Sequence, residues 1–153
     1  MWKAFQRYRQ LDRESRKLFW RVLTLLPVVS RSLHTRGFQQ TKENLAKKLV
    51  GGNLVAHGAA AETVQKTCRM VKAGAYYGFG HPTCLEQSLV LWYLLQERNI
   101  SASLRIGVRK SAEKFEAHAW VEHDGVPLNQ SEEVHQHYAA FESEFAGLPG
   151  ENA

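Results

Sequence analysis

Two side chains in this sequence could do chemistry together. Cys84 lies in His81-Pro82-Thr83-Cys84-Leu85-Glu86-Gln87-Ser88-Leu89, and His118 follows downstream in Ala117-His118-Ala119-Trp120-Val121-Glu122. A thiol nucleophile needs a base to take or share its proton, and the base needs a third group to orient it. Asn129 and Gln130, just beyond Asp124-Gly125, carry amides that could accept a hydrogen bond from one imidazole nitrogen and leave the other facing the sulfur. Each residue also has a plainer reading. Cys84 could be a small buried residue that only packs, and a histidine on a strand is more often structural than catalytic.

The elements around these residues decide how they could meet. Pro82 disfavours helix at His81. Thr83 offers an N-cap hydroxyl, and Glu86 three residues later completes a capping-box pattern. Cys84 is then the first helical residue, where backbone N–H groups and the helix dipole favour a thiolate and could hold an oxyanion. Leu89, Leu91, Trp92, Leu94 and Leu95 continue as a largely buried helix that ends near Asn99, a left-handed cap. Ala102, Leu104, Ile106 and Val108 then alternate with polar residues as a half-buried strand. The charged residues 109–116 read as a loop, residues 117–122 as a second strand, and residues 126–129 as a third after the Asp124-Gly125 turn. A strict two-residue turn pairs His123 with Val126. In that register Asn129 shares the face of His118 and Gln130 does not; a bulge near Pro127 reverses the choice.

Upstream, residues 1–26 have apolar positions at helical spacing, Pro27 marks a break or kink, Gly37 a stop, and residues 41–50 a short amphipathic helix closed by Gly51-Gly52-Asn53. Residues 59–77 form another helical region, with Val64, Cys68, Met70 and Val71 facing inward. Gly74, Gly78 and Gly80, with Tyr76, Tyr77 and Phe79, lead into the Cys84 helix. Residues 131–145 read as a last short helix through Tyr138, Phe141 and Phe145. Helices followed by a small antiparallel sheet make this α+β. The chain reads as one domain of 153 residues, with a basic helical part at 1–55 and a catalytic core at 56–145.

Charge is unevenly placed. The first fifty residues hold twelve Lys/Arg against three acidic residues, giving +9, so that the whole-chain +5 leaves −4 for the remainder. A basic half can face nucleic acid, anionic lipid or an acidic protein, or simply present solvated helix faces. Neither zinc spacing nor a basic strand interleaved with aromatics accompanies it, so nucleic acid is not an expected partner. No stretch is long and apolar enough to span a membrane, no signal peptide is visible, and two cysteines make no disulfide scaffold, so a cytoplasmic location with reduced thiols is expected. His135 and His137 could join His123 on one ion only if the last helix folds back; the plainer reading is a solvated polar face, and no metal or cofactor is expected.

The Thr83–Leu89 block, the strand Leu104-Arg105-Ile106-Gly107-Val108-Arg109, the strand Ala117-His118-Ala119-Trp120-Val121-Glu122 and Asp124-Gly125 together resemble the lasso peptide biosynthesis B2 proteins. The likeness runs over about residues 80–130 and is weaker in the basic N-terminal part. It implies a transglutaminase-like, papain-like cysteine protease core that removes the leader from a ribosomally made lasso precursor, a case of RiPP maturation. It also implies partners: the precursor peptide, a separate leader-binding recognition protein, and an asparagine-synthetase-like cyclase. Cys84 matches the family nucleophile and His118 the family base. The third position departs, because Gln130 stands where the family usually has an aspartate. An amide can orient an imidazole but brings no full charge to stabilise imidazolium. Gln130 is favoured by family position and Asn129 by simple register, with Asp124 or Glu122 as outside helpers. Amine acyl transfer on the same fold, and a non-catalytic scaffold for the leader-binding protein and cyclase, are the alternatives.

Overall fold

The computed structural model describes residues 8–49, 60–111, 114–130 and 139–140. Helix α1, Arg13–Lys47, starts at Asp12, whose carboxylate accepts from the Ser15 N–H. Pro27 does not break it. The residue is solvent-exposed, so one missing N–H on the water side leaves the helix running on. The interruption comes at Gly37, with φ 76° and ψ 178°, a conformation that suits a residue without Cβ. The segments expected as separate helices before and after Gly37 are thus two arms of one bent element. The first seven residues of the expected N-terminal helix lie outside the described part.

Helix α2, Ala60–Tyr77, buries Val64, Thr67, Met70, Val71 and Gly74. A Cβ on Gly74 would come within 2.4 Å of Val22 Cγ1, so its bareness sets how closely α1 and α2 approach. Helix α3, Cys84–Gln96, has every residue from Leu89 to Leu95 buried. It packs against α1, α2 and the sheet together, which is why its apolar residues need not keep to one stripe. Lys42, almost fully buried, holds Nζ 5.6 Å from the centroid of the Trp92 ring. Asn99 takes the left-handed conformation (φ 54°) expected of it just past the helix.

The sheet has the order β3-β2-β1-β4, with β1 Ser103–Ser111, β2 Lys114–His123, β3 Val126–Pro127 and β4 Ala139–Ala140. Of the expected loop 109–116, residues 109–111 and 114–116 are strand, and residues 112–113 lie outside the described part. The β1–β2 ladder continues without a bulge from Ser103↔Glu122 to Ser111↔Lys114, and the Arg109 and Glu116 side chains pair across it. Charged residues suit strands whose ends stand in water, so charge alone misled the reading. Two further expectations need correction. The third strand stops at Pro127 instead of running to residue 129, and Ala139–Ala140, the described part of the expected last helix, pairs antiparallel with Gly107–Val108. The Asp124-Gly125 turn has positive φ at both residues (50° and 77°) and pairs His123 with Val126, as its sequence requires.

One ion pair ties α1 to the end of α3. Arg21 donates to both Glu97 oxygens, at 2.6 and 2.8 Å, and the guanidinium holds the Glu97 carboxyl below its ordinary range. A lowered folded-state pKa contributes stability above the ordinary carboxylate range and loses it as pH falls through the folded value. Both groups are partly solvated, so the effect is at most about 1 kcal/mol. Thermal melts of Arg21→Ala should lie a few degrees below wild type at pH 7, and the gap should close as acid protonates the Glu97 carboxyl. A gap that persists in acid would assign the loss to packing instead.

Candidate active site

Local bonds fix the start of α3. Thr83 has extended backbone and accepts from the Glu86 N–H at 3.3 Å, while the Glu86 carboxylate accepts from the Thr83 N–H at 2.6 Å. The Gln87 side chain donates to the Pro82 carbonyl at 2.9 Å, and the Gln87 N–H opens the helical ladder on Thr83 O. Cys84 is therefore the first helical residue, half-buried, at the mouth of the helix. Helix geometry leaves its N–H pointing out of the ladder, available to an acceptor brought from outside. Cys68 is different. Burial within α2 pushes its thiol up to about 11, which keeps it protonated and inert at neutral pH.

His118 lies in the middle of β2, not near its start, because the strand begins at Lys114. It pairs with Gly107, which has no side chain to crowd the ring. Alternation puts Ala119 and Val121 on the side packed against α3, and His118, Trp120 and Glu122 on the reverse. On that reverse face the imidazole stacks on Trp120, with centroids 6.3 Å apart at 20°. Trp120 is fully buried and donates its indole N–H to Glu122 at 2.8 Å; Arg105 donates to the other Glu122 oxygen at 3.1 Å. Glu122 thus holds the tryptophan on which the ring lies. Asp124 sits at the turn, exposed, with its carboxylate 3.5 Å from His123 Nε2.

The sequence placed a helix end over the face that bears His118. In the structure α3 packs instead on the opposite face, that of Ala119 and Val121, and reaches the strand's edge through Ser88. Ser88, one turn beyond Cys84 on the same side of α3, donates to the Ala119 carbonyl at 3.0 Å. That carbonyl lies on the edge that β3 covers farther along, where the Leu128 N–H reaches Val121 O at 2.8 Å. Because β3 has stopped, the hydroxyl of the Cys84 helix takes the bond that a longer strand would have made. The helix that begins at Cys84 is thereby anchored on the residue adjoining His118.

Asn129 completes this joint. Its Oδ1 accepts from the Val121 N–H and its Nδ2 donates to Ser88 Oγ, both at 2.9 Å. Gln130 is exposed. Of the predicted site residues, Asn129 joins Ser88 to Val121, Cys84 opens the helix that Ser88 fastens to Ala119, His118 faces the side of the sheet turned away from that helix, and Gln130 lies at the surface. Ser88 and Trp120 were missed by sequence reasoning. Their only signals were spacings, four residues after the cysteine and two after the histidine. Among the described residues no group of three His, Cys, Asp or Glu could hold a metal ion, while His135 and His137 lie outside them.

Asn129→Ala should cost about 1–3 kcal/mol in chemical denaturation, since it strands the Val121 N–H and removes the donor to the buried Ser88 hydroxyl. Gln130→Ala, at an exposed position, should stay within about 0.5 kcal/mol of wild type. Equal losses would contradict the placement of these two amides.

Residues 23–143 match the family described as the transglutaminase-like superfamily. That span includes both candidate catalytic residues and both candidate orienting amides. No curated protein and no solved structure matches the chain. Among the described residues no helix is long and apolar enough to cross a membrane.

Proposed function

The chain belongs to the transglutaminase-like superfamily, which includes cysteine proteases and acyltransferases, and on that premise we propose that it is the leader peptidase of a lasso peptide pathway. The observation that supports this most is the Ser88–Ala119 hydrogen bond, which fastens the Cys84 helix to the strand residue beside His118. In this reading the thiol meets the imidazole around the strand edge that β3 leaves open.

The Cys84 thiolate attacks the carbonyl carbon of the peptide bond between leader and core. The Cys84 N–H and a second donor hold the oxyanion. The tetrahedral adduct collapses as His118 protonates the leaving amine, and the core departs with a free N-terminus while the leader stays on sulfur as a thioester. His118 then takes a proton from water, whose oxygen attacks the thioester and releases the leader as a carboxylic acid. Asn129 or Gln130 orients the imidazole. The exposed Tyr76, Tyr77 and Phe79, just ahead of the nucleophile, offer apolar contacts to an incoming peptide. A separate leader-binding protein delivers the precursor, and an asparagine-synthetase-like cyclase takes the freed core.

Mass spectrometry of the products tests the reaction class. The purified chain, its precursor and the leader-binding protein should yield leader ending in a free carboxylate and core with a free N-terminus, even with a primary amine added in excess. Leader joined to the amine would assign the chain to acyl transfer.

A further inference from the structure

The geometry points to the bend of α1 as a binding site for an acidic amphipathic peptide segment, separate from the cysteine site and independent of whether Cys84 is catalytic. Ser32 Oγ and Thr41 Oγ1 are nine positions apart yet only 2.9 Å from one another. On a straight helix that separation would be roughly 13 Å, so the two arms fold back on each other about Gly37. Between them lies a cavity of about 530 Å³. Its floor is apolar, with Val29 and Leu45 buried and Val28 open to solvent. Its lining also carries Arg31, Arg36, Lys47 and Lys48 and no carboxylate. All four cations are exposed, and none is paired with a carboxylate among the described residues.

Arg21, on the first arm, is by contrast held by Glu97. Concentrating four unpaired cations around one apolar hollow costs self-repulsion, which an anionic occupant relieves. The floor decides which kind of anion. Single-stranded nucleic acid binds on aromatic platforms, and no aromatic residue lines this cavity. An acidic peptide helix or turn presents leucine-like side chains to such a floor and carboxylates to the rim, the helix-in-groove mode with complementary charge.

The test is fluorescence anisotropy on the full chain at low salt, with a fluorescein-labelled decapeptide of paired glutamates and leucines as the probe. One triple variant, Arg31→Ser, Arg36→Ser and Lys48→Ser, removes charge from the rim. A matched one, Arg13→Ser, Arg16→Ser and Lys17→Ser, removes as much charge from elsewhere on α1. These are solvent-exposed positions, and circular dichroism melts establish that both variants fold. Saturable binding should weaken about tenfold or more in the rim variant and stay near wild type in the matched one. A peptide with glutamine for glutamate should bind as poorly as the rim variant does. Equal weakening in both variants would reduce the effect to general charge and overturn the proposal. So would undiminished binding of the glutamine peptide, or displacement of the probe by an RNA oligonucleotide of equal charge at lower concentration.

Discussion

Cys84→Ala should lower the rate of leader release by about 10³-fold or more, because in the proposed mechanism the acyl-enzyme forms on its sulfur. Cys84→Ser should fail almost as badly, since a hydroxyl is a far weaker nucleophile beside the same imidazole. His118→Ala should cost about 10²- to 10⁴-fold, the usual worth of a positioned acid–base group. The measurement is single-turnover cleavage of the precursor in the presence of the leader-binding protein, with melting curves recorded for every variant. Cys84 lies at a half-buried helix start whose capping bonds come from Thr83 and Glu86, not from sulfur. Its removal should therefore leave the fold intact, and a lost rate can be read as lost chemistry. Leader release that persists in Cys84→Ala at the wild-type rate would leave the chain a scaffold for its partners.

The largest effect on stability is expected at Leu91→Ala. Leu91 is fully buried in α3, the helix that touches α1, α2 and the sheet. A helix held between three different elements cannot move freely to close a void. The cost should be about 2–5 kcal/mol, the sum of lost transfer free energy and a persistent cavity. For a chain of 153 residues this lowers the melting temperature by roughly 5–15 °C. Leu91→Met, which nearly conserves volume, should cost less than about 1.5 kcal/mol. Urea denaturation with an unchanged slope checks both values. A Leu91→Ala loss below 1 kcal/mol would mean that α3 is not the central element of the core.

What the sequence made legible was local. Thr83 and Glu86 are three residues apart, so the cap that presents Cys84 could be read directly, and the structure contains both of its bonds. Asp124-Gly125 and Asn99 also carried their backbone conformations in their identities. The α+β order followed from the change of period after Asn99. The misreadings came where tertiary context overrides composition. Charge at residues 109–116 resembled a loop because an exposed hairpin end is as polar as one. Pro27 resembled a break because its harmlessness depends on facing solvent. Ser88 and Asn129 are 41 residues apart, and no short-range pattern announces their bond. The choice between Asn129 and Gln130 rested on register, and register ended where β3 stopped.

The claim on which the functional reading rests is that the Cys84 sulfur and the His118 ring can touch. A bifunctional alkylating reagent with a three-carbon bridge, 1,3-dibromoacetone, measures this directly when followed by peptide mapping. The expected product is a crosslink between the Cys84 peptide and the His118 peptide, absent from His118→Ala. Alkylation of Cys84 with no bridge, or a bridge to any other residue, would contradict it.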